Sequence, residues 1–220
     1  MRRRFIRKIL AGISVFSIAL VSSGCGSQKA KAPDATMNAF YQLMICQNST
    51  EIAKLGIDEN DAQKTKDTYH DSMISTLRDE FSKAGVSITE SEATDIFNAI
   101  SQKLSTLKYK VEVKNEDGKE ATVKVSSQYI NYLDLFKQAA QNTTQALKPN
   151  HIDKISDAKK LLVDNIITDF QNVQASQRMH SKTFELKEQK VKSGKKTLHI
   201  YFPKDTKQTG SDLMKLVTNQ

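Results

Sequence analysis

Two cysteines and four histidines (Cys25, Cys46, His70, His151, His180 and His199) are the side chains of this chain best suited to act as nucleophile, metal ligand or general base. Their spacing organises little of that chemistry. No two histidines stand three or four residues apart, the separation at which one helix presents two imidazoles to one metal ion. His70 and Asp71 are neighbours, and on a helix they point in different directions. Cys46, in MICQN, falls on or beside an apolar helical face with no histidine within twenty residues in sequence, and reads as a packed structural thiol. The acidic pairs Asp79-Glu80 and Glu90/Glu92 read as solvated faces and helix-start charge. The eight glycines form neither a dinucleotide fingerprint nor a phosphate loop, and there is no GxSxG elbow. No catalytic residue, metal ligand or cofactor is assigned from these patterns.

Cys25 has a different setting. The first eight residues, MRRRFIRK, carry five bases, and no acid precedes Cys25. Residues 9–21 are uncharged, and Ser22, Ser23 and Gly24 follow. A basic start, a short apolar run and small residues at its end describe a secretory signal segment. Thirteen residues of helix span about 20 Å, short of a bilayer core of about 30 Å. The small residues before Cys25 resemble a bacterial lipobox, although the usual aliphatic position three before the cysteine holds Ser22, with Val21 one step earlier. A lipobox implies a diacylglyceryl thioether on Cys25 and cleavage between Gly24 and Cys25. Two acyl chains give stable anchoring where one does not. The reading is therefore a signal peptide over 1–24, an anchor and flexible tether over 25–34, and a single domain over 35–220.

The formal charge of +8 belongs largely to the segment that is cut away. Removing its five bases leaves 28 Lys+Arg against 25 Asp+Glu, a net +3 with the signs interleaved. That is no footprint for nucleic acid. With Cys25 spent on lipid, Cys46 has no disulfide partner, so packing must hold the fold.

Periodicity supplies the elements. Met37, Phe40, Tyr41, Met44 and Ile45 form a helical face after Asp34, running toward a stop at Leu55-Gly56. A second helix from Asp58 or Asn60 has the seam Tyr69, Met73, Leu77 and Phe81 and ends at Gly85. Thr89-Glu90-Ser91-Glu92 is a capping box that opens a third helix, burying Ala93, Ile96, Phe97, Ile100 and Leu104. From Lys108 the period falls to two. Tyr109, Val111 and Val113, then Ala121, Val123 and Val125, make a hairpin around Asp117-Gly118 with one wet face. Helical spacing returns from Asn131, breaks at Pro149, and resumes over 152–179. A second hairpin turns at Ser193-Gly194, with Leu198, Ile200 and Phe202 on one side and His199 and Tyr201 on the other. Residues 211–217 add a last turn or two of helix. Helices in runs, separated from antiparallel hairpins, indicate an α+β fold: one four-stranded antiparallel sheet covered by helices.

This layout behind a lipobox resembles a set of uncharacterised lipoproteins of Gram-positive bacteria, with domains similar to the cone-shaped nuclear transport factor two-like fold. The N-terminal helices, KYKVEVKNEDGKEATVKVSSQYINYLDL (108–135) and the closing hairpin carry the resemblance. It implies a cone-like domain that binds a ligand or partner, in some members with a pocket between sheet and helices. Tyr129, Tyr132, His199 and Tyr201, at the strands or their ends, are the candidate contact surface. The expected function is an anchored extracytoplasmic binding or accessory module for an envelope protein or small ligand. An envelope enzyme is the alternative from another class. A third reading is a precursor whose signal peptide releases a pheromone-like fragment.

Overall fold

Pro33 opens the first helix at the position where a missing N–H costs nothing, and Asp34 in its first turn suits the helix dipole. The computed structural model describes residues 30–147, 149 and 153–220. Cys25, the cleavage site expected at Gly24 and the expected signal segment lie outside the described residues. Helix α1 (Pro33–Met44) buries Met37, Phe40, Tyr41 and Met44, the i, i+3, i+4, i+7 stripe of an amphipathic helix. It ends earlier than the Gly56 stop suggested. Gln47 adopts a left-handed conformation (φ 54°) while its side-chain amide donates to the carbonyls of Leu43 and Met44. Asn48 accepts from the Thr50 amide and begins a separate short helix, α2 (Thr50–Lys54), which Gly56 then closes at φ 97°.

Asp58 caps α3 (Glu59–Lys83) by accepting from the Asn60 amide. The Thr89 box forms as its spacing requires. Thr89 Oγ1 accepts from the Glu92 amide at 3.2 Å, and Glu92 Oε2 accepts from the Thr89 amide at 2.7 Å, opening α4 (Glu90–Ser105). Glu92 also pairs with Lys159 at 2.9 Å. Burial pushes its carboxyl up, but the bonds from Thr89 and Lys159 outweigh this and hold it below the ordinary range.

Strands β1 (Tyr109–Asp117) and β2 (Glu120–Ser127) make the first hairpin, with a bulge between Val113 and Asn115. Helix α5 (Tyr132–Leu147) and helix α6 (Ile155–Asn172) follow. The latter is shorter at both ends than its apolar spacing suggested. Val173 turns to extended backbone, and the Ser176 amide bonds the Tyr129 carbonyl instead of continuing the helix. The chain returns as β3 (His180–Ser193) and β4 (Lys196–Pro203), and ends in α7 (Thr206–Thr218). This last helix is three turns long, capped by Asp205, and buries Leu213, Met214, Leu216 and Val217.

The fold is α+β, and the sheet runs β1-β2-β3-β4, antiparallel throughout. β3 joins the hairpins, pairing with β2 over 180–187 and with β4 over 186–193. Its buried positions change parity on the way, from Phe184 and Leu186 to Val191 and Ser193. Helix α1 packs on β1, β2 and β4, while α7 packs on β3 and β4. Beside them α3, α4, α5 and α6 pack on one another around Tyr132, Phe136 and Phe170, whose rings lie 5.0–5.5 Å apart. Phe40 meets Phe202 edge-to-face at 5.2 Å, and Tyr41 stacks on Tyr109 at 3.9 Å. Among the described residues no helix is long and apolar enough to cross a membrane.

Truncating Phe40 to Ala removes the ring that joins α1 to β4, and the denaturant midpoint should fall by the equivalent of about 3–5 kcal/mol. Alkali should act on three tyrosines. Burial pushes the hydroxyls of Tyr41, Tyr69 and Tyr132 well above the ordinary value of 10.0. Each folded-state value lies above its unfolded value, so the stabilisation is complete below pH 10 and is lost as pH rises beyond it. A titration should show tyrosinate absorbance appearing together with loss of helix, not before it.

Candidate functional site: a polar groove between two helices

One turn of a helix brings residues three and four apart onto one face, and two such faces meet along α3 and α4. α3 contributes Lys66, Asp67 and His70; α4 contributes Phe97, Asn98, Ser101, Gln102 and Ser105. Cys46 and Gln47, just past the end of α1, complete a groove of about 420 Å³. The His70 ring stands edge-on to Phe97 at 5.2 Å, which fixes the imidazole against the wall. Asp67 Oδ1 accepts from Gln63 Nε2 at 2.7 Å. The Gln47 amide nitrogen is committed to helix carbonyls, while its Oε1 is shielded from solvent and has no partner among the described residues. An acceptor left in that state costs free energy until a donor reaches it.

The lining is unlike an ordinary solvated helix face. Asn98, Ser101, Gln102 and Ser105 are uncharged donors and acceptors, with one cation at Lys66, one carboxylate at Asp67 and an apolar ring at Phe97. Such a set can donate hydrogen bonds to, and accept them from, hydroxyls and amides. The fold brings Cys46 and His70 to one groove although they are far apart in sequence. Burial pushes the Cys46 thiol up to about 11, so at neutral pH it is the thiol and not the thiolate. Among the described residues no group of three His, Cys, Asp or Glu is placed to hold a metal ion.

The four residues expected to form one contact surface are not brought together. Tyr132 is 2% exposed and sits in the helical core, with no face to present. Tyr201 is 3% exposed, and the wet side expected for it is covered. The β1–β2 turn closes over it, and its hydroxyl donates to the Gly118 carbonyl at 2.9 Å and to Glu116 at 3.1 Å. His199 binds Glu188 at 2.6 Å and is only partly exposed. Tyr129 stacks on His180 at 4.1 Å. Tyr201 pairs with Glu188, which lies eight residues along β3 from His180, about 26 Å at the strand rise. Tyr129 and the His199–Tyr201 pair therefore serve opposite ends of the sheet. A second cleft of about 310 Å³ lies on the outer sheet face, where Lys204 bridges Glu120 at 3.0 Å and Glu185 at 3.3 Å.

A disulfide-forming thiol reagent should test the setting of Cys46. In a chain beginning at Gly26, at pH 8, it should react many times more slowly in native protein than in denaturant.

No family model matches this chain, and no curated protein matches it. Among solved structures it is similar to a protein of Bacillus subtilis, ycdA, whose description as a lipoprotein is provisional. The TM-score is 0.60 at 13% identity, over 84% of this chain and 55% of that one. This chain thus spans about half the length of its structural neighbour, and the likeness is one of fold.

Proposed function

We propose that this chain is an extracytoplasmic lipoprotein, anchored through acylated Cys25, whose domain binds a small polar ligand or a short segment of an envelope partner in the α3–α4 groove. The observation that carries this reading is the groove itself. It is a concave site between two helices, lined by uncharged polar side chains on α4 and by Lys66, Asp67 and His70 on α3, with a shielded acceptor at Gln47. The signal segment and the small residues before Cys25 support the anchor, and so does the description given to the Bacillus subtilis neighbour. The sequence resemblance to lipoproteins with nuclear transport factor two-like domains points to the same class of function. A cysteine enzyme is disfavoured, because the one described cysteine is held protonated by burial.

Crosslinking in intact producing cells, followed by mass spectrometry of the captured material, tests both halves. The chain should begin at a lipidated Cys25, and a Ser101→Arg variant that fills the groove should lose the species that wild type captures. Equal capture by both would reject the groove. An unmodified Cys25 in the culture fluid would reject the anchor.

A further inference from the structure

We infer that the α3–α4 groove takes a small zwitterion of the α-amino-acid class, with its carboxylate on Lys66 and its ammonium on Asp67; the inference rests on the groove being the binding site. Its first support is the charge of the lining. Lys66 and Asp67 are the only permanently charged side chains that line the groove, one of each sign, so the lining is neutral as a whole. The two do not neutralise each other. Adjacent residues on a helix point about 100° apart. Among the described residues no ion pair joins them, and Lys66, which is half-buried, has no carboxylate partner at all. Asp67 is exposed, and its Oδ1 accepts from Gln63 at 2.7 Å, which leaves Oδ2 open. A net anion is attracted at Lys66 and repelled at Asp67, and a net cation meets the reverse. A molecule carrying both charges is attracted at each.

Placement is the second support. Lys66 and Asp67 stand four and three residues before His70, so both border it on one face of α3. The His70 ring is held against Phe97 of α4, which puts the two charges beside the seam between the helices. Asp71, the next carboxylate along α3, has its side chain 82% exposed and does not line the groove. The α4 wall is the third support. Asn98, Ser101 and Gln102 carry no charge, and among the described residues their side chains have no hydrogen-bond partner. Asn98 and Gln102 each offer a donor and an acceptor, which suits the uncharged remainder of an amino acid. Gln47 Oε1 adds an acceptor that a ligand N–H or O–H can reach. From Asn98 to Ser105 the wall is about 10 Å long at the helical rise. That length, with a volume of about 420 Å³, accommodates a single amino acid with its side chain laid along α4.

The test uses the full mature protein, purified in detergent with its native N-terminus. Equilibrium dialysis against an equimolar mixture of the common amino acids, read by mass spectrometry, identifies what is retained. Calorimetry then compares each retained amino acid with its N-acetyl and its carboxamide derivatives. At least one amino acid should bind, and blocking either end should weaken it several-fold. Lys66→Met should abolish discrimination against the carboxamide while keeping that against the N-acetyl form, and Asp67→Asn should do the reverse. Loss of folding cannot produce that crossed pattern, because it removes both discriminations together. Retention of no amino acid, while Ser101→Arg still loses its captured species in cells, would overturn the zwitterion and leave the groove standing. Equal affinity for free and blocked forms would overturn it as well. Amino-acid binding undiminished by Ser101→Arg would overturn it by placing the ligand elsewhere.

Discussion

The architecture depends on one constraint: the apolar stripe of α1 must serve two hairpins at once. Tyr41 stacks on Tyr109 of β1 and its hydroxyl lies 2.8 Å from Ser127 of β2, while Phe40, one residue earlier, meets Phe202 of β4. Neighbouring residues on a helix face differ by about 100° in direction, so the sheet has to wrap around α1 to meet both rings. The long strand β3 makes that possible. Its inward positions shift from even to odd between Leu186 and Val191, which re-aims the second hairpin without breaking the hydrogen-bonded register to β4.

Wrapping has a price in polar groups, and the structure shows where it is met. Tyr109 donates to Asn38 at 2.6 Å and accepts from Gln42 at 2.6 Å, so one phenol ties two α1 side chains to the first strand. Ser193, buried at the far hairpin, sits between the Asp58 amide and the Asp61 carboxylate. Both devices tie a strand to a helix through side chains distant in sequence.

Much of this was legible in the sequence, and the reason is local. The capping box of Thr89 and Glu92, the Tyr69–Phe81 seam and the alternation of Ala121, Val123 and Val125 each depend on a few adjacent residues, and each appears in the fold; in β1 the alternation fails at Val113, which the bulge leaves 38% exposed. What could not be read depends on contacts between distant segments. The burial of Tyr201 follows from the β1–β2 turn folding over it, about 80 positions away in sequence. Nothing local in the sequence separates α2 from α1, because the Gln47 turn uses no glycine. The sequence shows only the end of α7, because its stripe of Leu213, Met214, Leu216 and Val217 is compact and its first turns are polar. The groove was missed for a similar reason: Asn98, Ser101, Gln102 and Ser105 look like a helix face turned to water. The one signal was that this face lacks the charges that solvated helices of this chain carry elsewhere, as at Lys137–Asp134 and Lys160–Asp164.

The bulge between Val113 and Asn115 interrupts the outer margin of β1. Among the described residues the sheet has two margins, β4, which Lys31 bridges at Ile200, and β1. An uninterrupted margin would template strand addition between neighbouring molecules. The bulge breaks the repeat of unpaired amides, and Lys110, Glu112 and Lys114 along it exchange ion pairs within the strand at 2.9 and 3.9 Å. A second copy would have to bring its own charges into register with that row while following an irregular backbone. The irregularity that interrupts the ladder thus works against edge-to-edge pairing between copies.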